Sequence, residues 1–323
     1  MNLAKKLLDK FNGLHYPQEY LCLARETFEH PLHAYLLSNK TVLCDITEQH
    51  VFAGYSPLIF AFAATVSPAL SSPTISLGFS QETLKPNDVF KEKDAIAGLS
   101  LSKFHELNAG GCLIYFFEGV KGTHRFIPGF SQAVGELNNR LYKQKAGNVF
   151  LPGNLLKQVQ IAYSIPRKIC LATVGKDNLY NLFPTDLHGQ VGDLYLISLR
   201  HEGKACMQVE SSRRVVLSDM KVTSYKHVYS LGKNHMLPLK ERSEFDWEAA
   251  SSEGFGWPLP IGVTSYKELK LENSFPRGIH KLLLFKIVHE KQQSGMQSTL
   301  SHIHNCYATW RFKHGISSNL LMR

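Results

Sequence analysis

Between two apolar, β-type runs, KICLATVG and DLYLISL, the chain places NLYNLFPTDLHGQ, Asn178 to Gln190. A tight hairpin needs only a short turn, so Asn181, Pro184, Thr185 and Asp186 exceed what a turn requires. Groups of this kind can contact the polar edge of a small ligand, or simply shape and cap a turn. The next segment, ISLRHEGKACMQVESS, adds Ser198, Arg200 and Lys204 ahead of a short helical stretch. A hydroxyl, two cations and a helix start suit an anion such as phosphate. The same two cations also fit ordinary solvated loop charges.

The signatures of several other chemistries are missing. The chain has no GxSxG, no GxxxxGK[ST], no HExxH and no GxGxxG after a strand. GFGWPLPIG is glycine-bearing, but its prolines cannot begin the helix that a dinucleotide fingerprint needs. His302 and His304 alternate, which on a strand places them on one face, and His314 follows. No Cys or carboxylate completes a ligand set locally, so no metal is expected.

Taken in order, LATVGKDNLYNLFPTDLHGQVGDLYLISLRHEGKACMQVESSRRVVLSDM resembles the flavin reductase-like family, the FMN-binding split barrels. In that family a strand ends at a Gly/Asp/Asn turn and a loop of small polar residues follows. The next strand ends in a Ser- and Leu-bearing segment, a basic or hydroxyl residue opens a short helix, and a strand returns. GIHKLLLFKIV resembles the family's Gly-Asp-His strand start, and HNCYATWRFKHG its closing aromatic strand, so the likeness is clearest over residues 160–315.

The resemblance implies a mainly β fold, a β-barrel with added helices of the FMN-binding split-barrel type. It implies FMN as cofactor, with FAD the alternative, and NAD(P)H as substrate. Leu182 and Phe183 would pack the ring, and Asn181, Pro184, Thr185 and Asp186 would meet its polar edge. Ser198, Leu199, Arg200 and Lys204 would surround the phosphate. His280 would stand near the ring as the catalytic residue, with Tyr307 or Arg311 bordering the nicotinamide. The implied activity passes hydride from NAD(P)H to flavin and on to an acceptor. The alternative is a non-catalytic split barrel that binds flavin, heme or another small ligand as sensor or carrier. Two positions depart from the family pattern: Ala205 replaces a hydroxyl residue at the helix start, and Ile279 replaces the Asp before His280.

The elements that must position these residues follow from periodicity and composition. At 323 residues with 44% hydrophobic content, one large or two ordinary domains are expected. The Gly- and Pro-bearing AGNVFLPGN suggests a boundary that separates 1–150, an α+β domain, from 151–323, the split barrel. LAKKLLDKF and EYLCLARETF read as helical, as does FSQAVGELNNRLYKQ. TVLCDIT, VFAGYSPLIFAFA, PTISLGF and GGCLIYFFEGV read as strands. In the second part QIAYSIP, KICLATV, LYLISL, RVVLSDM, KHVYSL, HKLLLFKIVHE and CYATWRF read as strands, ACMQVESS as a helix and YKELKLEN as a helical turn. Glu244 to Pro260 reads as a long irregular loop. ISL recurs at 75–77 and 197–199, which suggests two tandem split barrels, the first a degenerate copy with Ser80, Gln81 and Thr83 in place of the basic residues. A homodimer or single-chain pseudo-dimer is expected.

The charge of +9 is uneven: residues 1–150 hold 14 Lys+Arg against 13 Asp+Glu, and residues 151–323 hold 22 against 14. The basic residues are dispersed rather than clustered with aromatics, so nucleic acid is not the expected partner. The six cysteines are widely spaced without a CxxC pair, which favours reduced thiols. The longest apolar run, Pro57 to Leu70, is too short and broken to span a bilayer. The expectation is a cytoplasmic protein without a membrane partner.

Overall fold

The structure is a computed structural model that describes residues 13–24, 28–109, 111–142, 149–292, 300–316 and 320–321. Its contacts divide the chain into two units at Pro166–Arg167, and the stretch from His302 returns to the first unit. The second unit is thus shorter at both ends than residues 151–323.

In the first unit, β1 (Tyr20–Leu23) is followed by β2 (His33–Ser38), β3 (Thr41–Asp45), β4 (Val51–Tyr55), β5 (Leu58–Ala63), β6 (Thr74–Ser80), β7 (Ala97–Ala109) and β8 (Cys112–His124), then α1 (Gly129–Tyr142) and α2 (Leu155–Ala162). The second unit contains β9 (Arg167–Lys168), β10 (Cys170–Lys176), β11 (Leu179–Thr185), β12 (His188–Val191), β13 (Leu194–Arg200), α3 (Lys204–Ser212), β14 (Arg214–Met220), α4 (Tyr225–Ser230), β15 (Lys240–Glu241), β16 (Trp247–Ser251), β17 (Pro258–Pro260), β18 (Val263–Arg277) and β19 (His280–Gln292). After it come β20 (Ser301–His304) and α5 (Asn305–Lys313). The protein is mainly β.

Each unit is organised by one antiparallel sheet. In the second the order is β12-β13-β19-β18-β14-β10-β11-β15. Asp186 and Leu187 alone connect β11 to β12, yet those strands stand six places apart in the sheet. Laid flat, six spacings would cover ~29 Å, whereas three Cα steps reach at most ~11 Å. The sheet must therefore roll until its two flanks meet, and among the described residues no ladder joins them. The result is a barrel split between β11 and β12. Leu187 pins the crossing, its carbonyl accepting from the Ser198 backbone N–H at 2.8 Å.

Inside the roll, Ala172 and Val174 of β10, Phe183 of β11, Ile197 and Leu199 of β13, Leu217 of β14 and Phe285 of β19 form one core with Ala205, Cys206 and Val209 of α3. Burial of such aliphatic and aromatic surface is the main force that holds the roll closed.

The first unit repeats the plan. Its order is β3-β2-β6-β7-β8-β5-β4. With the seven strands of each copy counted in chain order, both sheets read 2-1-5-6-7-4-3. The first hairpin of each copy turns on two residues of positive φ, Asn39 and Lys40 (47° and 66°) in one and Asp177 and Asn178 (52° and 62°) in the other, as a type I′ hairpin turn requires. The tandem expectation is thus matched in topology, but not in the register read from sequence. ISL 75–77 lies on the fifth strand of its copy and ISL 197–199 on the fourth. The equivalent of Arg200 to Ser212 in the first copy is Ala64 to Ser71, two 3-10 turns. Ser80, Gln81 and Thr83 follow a different strand.

Several elements differ from the sequence reading. NLYNLFPTDLHGQ is not a loop: it supplies β11 and β12, with the turn already made at Asp177–Asn178. QIAYSIP lies at the end of α2, KHVYSL in α4 and CYATWRF in α5. Asn305 to Thr309 and Arg311 are all buried, so α5 has no polar stripe that would reveal its period. YKELKLEN is part of β18, whose register shifts at Glu268/Leu269 and Leu271/Asn273 break the strand alternation. Glu244 to Pro260 includes the β16–β17 pair. EYLCLARETF contributes a strand, β1, and LAKKLLDKF lies outside the described residues. Among the described residues no helix is long and apolar enough to cross a membrane.

Candidate functional site

The expected site residues separate into two groups. Asn181, Leu182, Phe183 and Leu199 are turned into the interior. Phe183 and Leu199 belong to the core of the roll, and Leu182 is fully buried. Asn181 spends its amide locally: its Nδ2 donates to Gln208 Oε1 (2.8 Å) and to the Asn234 carbonyl (3.0 Å), and its Oδ1 accepts from the Leu182 N–H. Asn234 returns a bond to the Leu182 carbonyl at 2.7 Å, and His235 donates through Nε2 to the Pro184 carbonyl at 2.7 Å. These bonds lay the 3-10 segment Leu231–Met236 along the outer edge of β11.

The second group converges at the rim of the split. β13 and β19 are registered so that Arg200 stands opposite His280 and Ser198 opposite Leu282. Ser198 Oγ and His280 Nδ1 share a buried hydrogen bond of 3.3 Å. Burial pushes the His280 imidazole down to about 4, helped by Arg200 and His201 and opposed by Asp186. The ring is therefore neutral at pH 7. His235 is lowered for the same reason, and it too senses Asp186 and Arg200. Asp186, Ser198, Arg200 and His280 thus share one electrostatic neighbourhood, with Pro184 half-buried and Thr185 buried at the end of β11.

Next to them α3 begins. Gly203 is its N-cap, and no side chain caps the helix. A Cβ at Gly203 would lie 3.2 Å from the Arg200 carbonyl and 3.4 Å from that of His235, so any side chain here would make these two backbones give by a few tenths of an ångström. Exposed Arg200 and Lys204 flank that uncapped start, with His201 and Glu202 between them. A helix N-terminus among cations suits an anion. Ala205, where the family pattern has a hydroxyl, is buried in the core beside Val209.

The sequence reading missed His201, Gly203 and His235. His235 meets the site from fifty-one residues away along the chain, through a segment without a local motif. Tyr307 and Arg311, which the resemblance set beside the nicotinamide, lie in α5, grouped with the first unit. Arg311 is committed there, donating to the His30 carbonyl at 2.6 Å and stacking 3.8 Å from the Phe28 ring centroid. His304 accepts from the Cys306 N–H as the N-cap of α5, and among the described residues no three metal-ligating side chains converge.

No family model and no curated protein matches the chain. The solved structures that resemble it are flavin reductases and FMN-binding split-barrel proteins, each matched over about half of this chain. The NADH:FAD oxidoreductase SgcE6 of Streptomyces globisporus is 14% identical, covers 50% of this chain and 96% of its own, with a TM-score of 0.41. The FMN-binding protein of Thermus thermophilus is 20% identical over 48% and 83%, with a TM-score of 0.36. BorF, the flavin reductase component of a bacterial two-component tryptophan halogenase, is 16% identical over 51% and 96%, with a TM-score of 0.39.

Proposed function

We propose that the protein is a flavin-binding oxidoreductase of the flavin reductase type, with FMN held by the second unit and NAD(P)H as the hydride donor. The observation that supports this most directly is the meeting of Arg200, Lys204 and the glycine-capped start of α3 with the Asp186–Ser198–His280 cluster at the split. In this reading Arg200, Lys204 and the first N–H groups of α3 hold the phosphate, and His201 adds a donor beside them. Pro184 and Thr185 at the end of β11, with Asp186 just after it, would meet the flavin edge at the split. Asn181, Leu182 and Phe183 support that edge from behind rather than lining it. The bound flavin supplies the hydride chemistry. Neutral His280, oriented by Ser198, offers an N–H dipole rather than a full charge, and so favours negative charge nearby without a proton of its own to release at pH 7.

The test begins with an absorbance spectrum of the purified protein and a titration with FMN. Wild type should bind in the micromolar range or tighter, and Lys204→Ala should weaken binding about tenfold, the loss of roughly one charge-assisted bond. No binding of FMN or FAD at tens of micromolar, an order-of-magnitude ceiling for a built site, overturns the proposal. Binding without oxidation of NADH or NADPH reduces it to a flavin carrier.

A further inference from the structure

A cleft open to solvent lies within the first unit, where the end of β8 and the start of α1 meet the end of α5. It has a volume of about 430 Å³, within the usual range for small-molecule sites and far more than a bare phosphate ion needs. One stacked pair faces it, Trp310 with exposed His314, centroids 4.1 Å apart and 26° from parallel, while His124 and Phe126, stacked at 4.6 Å and 11°, are buried behind it. Arg125 and Lys313 also line it and are exposed, and no carboxylate is among its lining residues. These groups are pre-positioned. Lys313 Nζ donates to the Gly13 carbonyl at 2.8 Å, and His314 Nδ1 to that of Trp310 at 2.8 Å. Glu92, the carboxylate that senses Arg125, is held by Lys40 at 2.8 Å.

One polar atom in this wall remains unmatched. His124 Nε2 donates to Gln160 Oε1 at 2.8 Å, which leaves Nδ1 as an acceptor, and that atom is buried without a hydrogen bond.

We infer that this cleft binds an aromatic phosphate monoester of about mononucleotide size, its ring against the exposed His314 imidazole that Trp310 backs and its phosphate met by Arg125 and Lys313. A flat exposed ring favours a planar body, and two cations without a competing carboxylate in the lining favour the anion. The site is separate from the α3 start and does not rest on the flavin reading.

Calorimetric titration with AMP, adenosine and inorganic phosphate tests it. AMP should bind, with adenosine and phosphate each at least about tenfold weaker, since each keeps only one half of the recognition. Arg125→Ala and Lys313→Ala should each weaken AMP about tenfold. Lys204→Ala should leave AMP affinity as in wild type. Absence of AMP binding at millimolar concentration, equal affinity for phosphate alone, retention of full affinity in both Arg125→Ala and Lys313→Ala, or its loss in Lys204→Ala would each overturn the inference.

Discussion

At the scale of single residues, burial decides protonation. His124, His188 and His280 are each pushed down to about 4, with burial the largest cause. In the unfolded chain a histidine titrates near ~6.5. Above that pH the ring is neutral in both states and adds no pH dependence. Between about 6.5 and 4 the unfolded chain binds a proton that the native state refuses, so stability falls as pH falls, by up to ~3 kcal/mol per histidine. Below that window the dependence ends. Thermal melts from pH 8 to 4 should show this acid limb, and His280→Asn should flatten part of it. A limb unchanged in that variant would mean that His280 is not held neutral by its surroundings. The same logic limits its chemical role: with Ser198 at 3.3 Å and Arg200 on the neighbouring strand, the ring works as a neutral dipole.

At the scale of elements, the two first hairpins carry a local strain that sequence can relieve. Asn178 tolerates the left-handed region through its short polar side chain, but Lys40 at φ 66° has no such compensation. Lys40→Gly should raise stability by about 1 kcal/mol, even though it removes the exposed Lys40–Glu92 pair, which is worth little. A lower melting temperature would contradict this. Much at this scale was legible in advance: KICLATV, LYLISL and RVVLSDM are strands, ACMQVESS is the helix between them, and FSQAVGELNNRLYKQ covers α1. The failures have physical causes. Helix α5 is buried on nearly every side, and the bulges of β18 scramble its alternation. Asn181 of β11 bonds to Gln208 and Asn234, so its polarity marked an internal partner rather than a loop. At the site, Ser198, Arg200 and Lys204 were picked out because they follow a strand–turn–helix order, and His280 because GIHKLLLFKIV begins a strand. His235 was not, because its contact depends on tertiary folding alone.

At the scale of the molecule, the chain uses one strand plan twice and equips the copies differently. Where the second unit has Arg200, His201 and Lys204, the first has ATVSPALS, Ala64 to Ser71, without a single cation. In the flavin reading one chain should therefore hold one FMN at the split, and a titration of the Arg125→Ala/Lys313→Ala double variant that still saturates at two per chain would show that the first copy is competent as well. The doubled plan also raises a question of solubility, because each rolled sheet ends in strands whose outer main-chain groups could recruit another chain. At the β11 margin of the second unit that hazard is closed from within. β15 pairs with Leu179 and Tyr180, and the segment Leu231–Met236 occupies the Leu182 and Pro184 carbonyls, so the outer margin of β11 has little left to offer a foreign strand. The Asn181–Asn234 amide pair is in this sense a guard against fibre growth as much as a fastener, and it keeps the margin beside the split from templating aggregation.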